Sequence, residues 1–284
     1  MTACWRCGGG SRIDNWLRKH GIENELEAGV SVSIEEAEDR MESEDDSRGQ
    51  GPGIVTEIPL PEGFTLLDDP NPADPATHAS YARLAGRMAR RKNLDLEDFM
   101  AARVGLALSN YRWAPYAIFP IFEWGKVVYY QGRTMIDMPG EPTKLFPSRS
   151  EYPRGSRYWI YGVDDLRALG GRVVVVESIL NKLSLDKELA RRGITEFVVV
   201  ACFKHKLSSE QLVKLQRIRN ILEIVLLYDA DATDAANAEA LRIRPKFPLV
   251  TVAKMPKGDA NDNAPLAVNQ ILLRAKPNPL PIDI

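Results

Sequence analysis

The 284-residue chain has few cysteines, no long apolar run and almost no net charge. Cys4, Cys7 and Cys202 are too few and too unevenly spaced for a disulfide framework, which leaves metal binding or packing as their roles. No apolar segment approaches the roughly 18 residues that span a bilayer, and the N-terminus lacks a basic segment followed by an apolar one. We therefore expect a cytoplasmic protein with no membrane partner. The composition, 44% apolar and 27% charged, excludes collagen-like, mucin-like and fully disordered chains.

The formal net charge of -2 hides two segments of opposite charge. Residues 35–48 hold eight acids and two bases, whereas residues 126–220 hold 17 Lys and Arg against 10 Asp and Glu. The basic segment favours an anionic partner such as nucleic acid or a nucleotide. The alternative is an ordinary solvated surface that binds nothing.

Composition divides the first half of the chain into three parts. Residues 1–27 contain a Cys-x-x-Cys knuckle and a short helical pattern. Residues 28–76 are first acidic and then rich in Gly and Pro, which predicts a mostly disordered linker with an extended end. Residues 77–169 predict an α+β subdomain, with helices over 77–93 and 96–104 and a hairpin of strands over 116–122 and 126–133.

Beyond residue 170 the pattern alternates between strand and helix. Four continuous apolar runs predict strands over 173–176, 197–201, 224–228 and 249–253, and helical segments lie between them over 179–192, 208–220 and 233–243. Continuous apolar runs indicate strands that are buried on both faces, as in a parallel sheet. We therefore expect an α/β domain over residues 170–265, followed by a C-terminal helix and tail over 266–284.

Acidic residues follow three of the four predicted strands. Glu177 comes directly after the first strand, Asp229 and Asp231 come after the third, and Asp259 lies in a Lys-Gly-Asp loop after the fourth. Parallel strands end at one edge of the sheet, so these acids are expected to converge there. An Asp-x-Asp pair can present two oxygen ligands to Mg²⁺, which takes one or two carboxylates plus substrate phosphates. The alternatives are helix caps, a solvated strand end and turn residues.

This order of acidic motifs resembles the TOPRIM domain that DNA primases share with topoisomerases and some nucleases. Upstream, Gly132-Arg133, Pro142-Thr143-Lys144 and the block 158–162 resemble the catalytic core of bacterial and phage primases. The N-terminal Cys-x-x-Cys-Gly knuckle resembles part of the zinc ribbon with which those primases begin. The chain departs from the family pattern at Ser178, where Gly is usual, and at Asn181-Lys182, where Asp-Ala is common.

The resemblance implies a TOPRIM fold, a Rossmann-like parallel sheet with flanking helices, preceded by an α+β primase core subdomain. It implies a nucleotidyltransferase that makes short RNA primers on single-stranded DNA from ribonucleoside triphosphates. It assigns Glu177, Asp229 and Asp231 to catalysis and, together with Asp259, to Mg²⁺ or Mn²⁺. Cys4 and Cys7 supply only two of the four ligands that a structural zinc site needs.

The family resemblance and the charge pattern also imply residues that contact nucleotides or the template. The expected contacts are basic: Arg133, Lys144, Arg149, Arg154, Arg157, Lys182 and Lys257. Because the sequence contains no P-loop, a replicative helicase partner would be a separate chain. Two other functions stay open, namely a TOPRIM nuclease and a non-catalytic replication accessory protein that binds DNA.

Overall fold

An antiparallel sheet and a parallel sheet organise the part of the chain that the computed structural model describes, which is residues 56–136, 142–148, 152 and 154–274. These residues belong to one compact unit. The N-terminal knuckle with Cys4 and Cys7, the acidic part of the expected linker, and the tail beyond residue 274 lie outside the described residues. No helix in the described ranges is long and apolar enough to cross a membrane.

The antiparallel sheet contains the predicted hairpin at its centre. Its strands, in spatial order, are β1 (Phe64–Leu66), β2 (Gly105–Ala107), β3 (Tyr116–Glu123), β4 (Lys126–Thr134) and β5 (Lys144–Leu145). Trp124 and Gly125 form the hairpin turn, and both have a positive φ, as tight hairpin turns require. Helices α1 (Pro75–Arg91) and α2 (Leu96–Ala101) confirm the two predicted helices upstream of the hairpin, and each ends two or three residues early.

The extended end that was expected for residues 28–76 contributes a strand to the antiparallel sheet. Residues 64–66 form β1 and pair with β2, and the backbone N–H of Ile58 donates to Val127 O at 2.8 Å. Ile58, Leu60 and Phe64 pack on the outer face of the sheet against a small cluster around Trp113. Gly and Pro residues lie between these apolar residues, so the composition alone suggested disorder. The apolar side chains nevertheless bury enough surface to order the segment.

The parallel sheet confirms the α/β prediction for the second half of the chain. Its strands are β6 (Gly171–Val176), β7 (Phe197–Ala201), β8 (Ile221–Leu226) and β9 (Val250–Val252), in the spatial order β7-β6-β8-β9. Helices α3 (Val163–Leu169), α4 (Ile179–Arg191), α5 (Ser209–Gln216), α6 (Thr233–Ile243) and α7 (Ala264–Arg274) accompany it. All side chains of 173–176 and 197–201 are buried, as expected for strands covered on both faces.

An ion-pair cluster around the buried carboxylate of Glu123 joins the hairpin to the parallel-sheet half of the chain. The carboxylate of Glu123, at the end of β3, accepts from Arg167 of α3 and from Lys214 of α5, each at 2.6 Å. The Lys214 ammonium also lies 4.3 Å and 4.0 Å from the ring centroids of Tyr158 and Trp159. The hairpin tip is therefore tied to two helices by charge-assisted hydrogen bonds in a largely water-free environment.

Candidate active site

The ends of β6, β8 and β9 are connected to one another by hydrogen bonds at a single edge of the parallel sheet. Glu177, directly after β6, accepts from the backbone N–H of Asp229 at 3.0 Å. The N–H of Ala230 in turn donates to Gly258 O, in the loop after β9, at 3.1 Å. The structure thus brings Glu177, Asp229 and Asp259 to the same edge, as the strand order predicts.

Two buried asparagines to which the sequence analysis gave no role in the site, Asn181 and Asn261, bridge these loops. Asn181, in the first turn of α4, donates from Nδ2 to Asp229 Oδ1 at 3.0 Å. Its Oδ1 accepts from the backbone N–H of Asn261 at 3.4 Å and from the Asn261 side-chain amide. The only sequence signal was position, since Asn181 lies one helical turn after Glu177 and Asn261 lies two residues after Asp259.

Ser178 fits its position between β6 and α4. Its φ of -135° is in the extended region, and its side chain accepts from the backbone N–H of Asn181 at 3.2 Å as the N-cap of α4. The backbone at this position therefore does not require the glycine that is usual in the family.

The carboxyl group of Asp229 is the acid of the site whose pKa is most clearly raised. Its pKa is raised to about 7, first by desolvation and then by the negative charges of Glu177 and Asp259, while the hydrogen bond from Asn181 acts in the opposite direction. Asp231 makes the smallest of these contributions and is exposed, in a 3-10 turn. Asp259 therefore raises the pKa of Asp229 more than Asp231 does, and the assignment of Asp231 to the cation stays a prediction.

A pair of basic side chains from the antiparallel sheet faces these acids. Arg133 of β4 and Lys144 of β5 are direct cross-strand neighbours. The pKa of Arg133 is lowered to about 10 by burial, against the opposing effect of Asp259 and Asp229. The pKa of Lys144 is also lowered, first by partial desolvation of its ammonium and then by Arg133, and the acids again oppose the shift. Two cations side by side are unfavourable in a sheet, and the opposite acids offset this repulsion.

Gly132 permits the close packing of β4 at the position next to Arg133. A Cβ at position 132 would lie 2.9 Å from the Trp113 ring and 3.0 Å from Cβ of Tyr116. The close packing on the outer face of β4 therefore explains why glycine precedes the arginine in the Gly-Arg motif.

The acidic edge fits a divalent cation that is shared with a substrate. In the described ranges, no three His, Cys, Asp or Glu side chains converge closely enough to enclose an ion by themselves. However, Mg²⁺ needs only one or two carboxylates when water and phosphate oxygens supply its other positions. The oxygen-only donor set is the kind that a hard divalent cation prefers.

Two other residues named in the sequence analysis, Lys182 and Cys202, have partners away from the basic pair. The buried ammonium of Lys182 is paired with Asp165 at 3.1 Å and with Asp186, and its contact with nucleic acid stays a prediction. Cys202 is a buried free thiol that donates to Lys204 O, which confirms packing as its role. Arg149 lies outside the described residues.

Three basic residues, Arg154, Arg157 and Lys257, were predicted to contact nucleic acid and lie at separate places in the structure. Arg154 stacks on Tyr158 at 4.6 Å, Arg157 lies in the 3-10 turn Ser156–Tyr158, and Lys257 is exposed beside Gly258. No described contact joins Arg154 or Lys257 to the acids, and contacts of all three residues with nucleic acid stay predictions.

Comparison with solved structures relates this architecture to primases. No protein-family model matches the sequence, and no curated protein matches it either. The DnaG catalytic core is similar at a TM-score of 0.53 and 17% identity, over 67% of this chain and 73% of that one. A DnaG primase catalytic domain bound to single-stranded DNA gives 0.52 and 18%, over 70% and 75%.

A longer structure matches over a smaller share of its length. The Aquifex aeolicus primase, with its zinc-binding and RNA polymerase domains, is similar at a TM-score of 0.51 and 17% identity, over 67% of this chain and 54% of that one. At these identities the comparisons establish the fold. The chain has the α/β architecture of a DnaG-type primase catalytic core, as the motif resemblance implied.

Proposed function

We propose that the chain is a primase-type nucleotidyltransferase, which makes short RNA primers on single-stranded DNA from ribonucleoside triphosphates. The observation that carries this proposal is the position of Arg133 and Lys144 opposite the acids of the parallel sheet, close enough for mutual effects on their pKa values. A site with carboxylates on one side and two cations on the other suits a substrate that brings phosphates and a divalent cation together.

The acids would hold Mg²⁺ or Mn²⁺, with Asp229 and Asp259 as ligands and Glu177 beside them. When bound, the cation supplies positive charge that stabilises the transferring phosphoryl group. One oxygen of Glu177 already accepts from the backbone of Asp229, so this residue also holds the end of β8 in place. Its other oxygen would be a further ligand or would help to deprotonate the primer 3′-hydroxyl.

The basic pair would orient the nucleotide. Arg133 can bind phosphate oxygens through two parallel N–H groups, and Lys144 adds a point charge beside it. The Arg133 Nε is buried and has no hydrogen-bond partner in the described structure. A buried donor of this kind is costly unless a ligand satisfies it, and a triphosphate would do so.

The template would be single-stranded DNA, and the neighbour of the same fold that was solved with single-stranded DNA supports this choice. A replicative helicase stays a proposed partner. A nuclease that uses the same acids would cut DNA instead, so the experiment must distinguish synthesis from cleavage.

The test is incubation of the full chain with end-labelled single-stranded DNA, Mg²⁺ or Mn²⁺ and differently labelled ribonucleotides. New short RNA with intact DNA supports the proposal. Shortened DNA would identify a nuclease, and neither product would identify a non-catalytic DNA-binding protein. The variants Arg133→Gln and Lys144→Gln should raise the KM for nucleotides, while Lys126→Gln, an exposed change at the other end of β4, should not.

A further inference from the structure

Gln131 of β4 is a buried polar side chain that the surrounding protein does not satisfy. It is 2% exposed, and its Oε1 accepts no hydrogen bond in the described ranges. Its cross-strand neighbour in β3 is Phe119, a fully buried ring that packs edge-on against Phe99. A buried polar atom without a partner is unfavourable, and most such atoms in proteins have one. A ligand that binds beside Gln131 would supply the missing contact.

Gln131 lies on the same face of the hairpin as Arg133. Side chains alternate between the two faces of a strand, so residues two positions apart share a face, and the pairing of β3 with β4 is regular at this point. Arg133 also has a buried atom without a partner, its Nε. One face of β4 therefore carries an unsatisfied acceptor and an unsatisfied donor, separated by about 7 Å along the strand.

The position of Gln131 along β4 places it next to the expected phosphate contact. The tip of the hairpin is bound to α3 and α5 through Glu123. The other end carries Arg133 close enough to Asp229 and Asp259 for their charges to affect its pKa. Gln131 lies between these two ends, one side-chain step from Arg133. A nucleotide whose phosphates bind Arg133 can therefore reach Gln131 with the part of the molecule that adjoins the phosphates.

The partner of the Gln131 oxygen must be a hydrogen-bond donor. Phosphate oxygens only accept, so they suit Arg133 but not this oxygen. The donors of a ribonucleoside triphosphate are its sugar hydroxyls and the N–H groups of its base, and the hydroxyls are nearer to the phosphates. An amide has an acceptor and donors side by side, whereas each hydroxyl can donate or accept. The 2′,3′-diol of ribose therefore matches the Gln131 amide in either orientation of the amide.

We propose that Gln131 binds the ribose diol of the nucleotide whose phosphates Arg133 holds, and that it thereby selects ribonucleotides over deoxyribonucleotides. This inference rests on the proposed function. The 2′-hydroxyl is the group that distinguishes RNA from DNA at a protein site. A site built to bind a hydroxyl disfavours the analogue that lacks it, because a buried polar group then stays unpaired. Arg133 and Lys144 cannot make this distinction, since both kinds of nucleotide carry the same phosphates.

Calorimetric titration of the full chain with ATP and with 2′-deoxy-ATP, in Mg²⁺ and without DNA, tests this assignment. The wild type should bind ATP about 10-fold more tightly than 2′-deoxy-ATP. Gln131→Met replaces the amide by an apolar side chain of nearly equal shape, and it should bind the two nucleotides about equally because ATP loses the contact. Gln216→Met, at an exposed position on α5, is the matched control and should keep the preference for ATP.

The Met variant should fold, because it removes a buried amide oxygen that has no partner in the protein. Urea denaturation without nucleotide should place its midpoint at or above that of the wild type. Gln131→Leu takes its place in the titrations if the Met variant does not fold, with the same expected loss of preference.

The outcomes separate this inference from the proposed function. A retained preference for ATP in the folded variant would overturn the assignment, and so would equal binding of both nucleotides by the wild type. An equal loss of affinity for both nucleotides would also overturn it, because the side chain would then support the pocket and not contact the sugar. RNA synthesis by the wild type would leave the proposed function intact in each of these cases. A wild type that binds neither nucleotide and makes no RNA would overturn both proposals.

Discussion

Replacing Asp229 by asparagine should stabilise the cation-free protein at alkaline pH. The carboxyl group is crowded by Glu177 and Asp259 and partly removed from water, which raises its pKa from 3.8 to about 7. Asparagine removes the charge but keeps an oxygen that can accept from Asn181. The change should therefore relieve repulsion while it preserves the hydrogen bond.

The sign and size of the effect follow from proton linkage. An acid with a raised pKa binds its proton more tightly in the folded state, so ionisation favours unfolding. The cost to folding is absent below about pH 4, grows between about pH 4 and pH 7, and is complete above that range. At about 1.4 kcal/mol per pKa unit the upper limit is about 4 kcal/mol. Because the side chain is partly solvated, we expect about 1 to 2 kcal/mol at pH 8.

Urea denaturation in EDTA measures this free energy of unfolding. Asp229→Asn should be more stable than the wild type at pH 8, and the difference should shrink at pH 4.5. Asp234→Asn, at an exposed position in the first turn of α6, should give no comparable gain. The reasoning would be refuted by a loss of stability at pH 8, or by an equal gain at both pH values.

Three further predictions concern the packing and the roles of the acids. Gly132→Ala should destabilise the fold by about 1 to 3 kcal/mol in urea denaturation because its Cβ would meet Trp113, whereas Gly86→Ala, inside α1 with only ordinary contacts, should be neutral or stabilising. Glu123→Gln should cost about 1 to 3 kcal/mol in the same measurement, since the partly buried cations of Arg167 and Lys214 lose a charged partner and Arg167 keeps only Asp164, and an unchanged midpoint would contradict this. Asp259→Asn should slow primer synthesis more than Asp231→Asn in a rate assay, and the opposite order would restore the Asp-x-Asp motif as the centre of the site.

The sequence was sufficient for the elements whose apolar pattern is continuous or regular. The strand 197–201 and the helix 233–243 agree with the structure at both ends, and the hairpin differs by one residue at the end of each strand. The convergence of Glu177, Asp229 and Asp259 also follows from sequence, because parallel strands must end at one edge.

The features that the sequence did not reveal depend on long-range contacts. Strand β1 is three residues long and exists because β2, about 40 residues away, pairs with it. The hydrogen bond between Asn181 and Asn261 joins residues 80 positions apart, and no local sequence pattern predicts it. Lys182 follows Asn181 directly on α4, but its ammonium is paired with Asp165 and Asp186, so its place in a motif did not reveal its partner.

The rate of RNA synthesis by a matched pair of variants tests the central claim most directly. The full chain, Asp229→Asn and Asp234→Asn would be assayed on one single-stranded DNA template with labelled ribonucleotides and Mg²⁺. We predict short RNA from the wild type and from Asp234→Asn, and a loss of about 100-fold or more in Asp229→Asn, the scale on which removal of one transition-state contact acts. RNA synthesis by Asp229→Asn at the wild-type rate would contradict the assignment of this edge as the catalytic site.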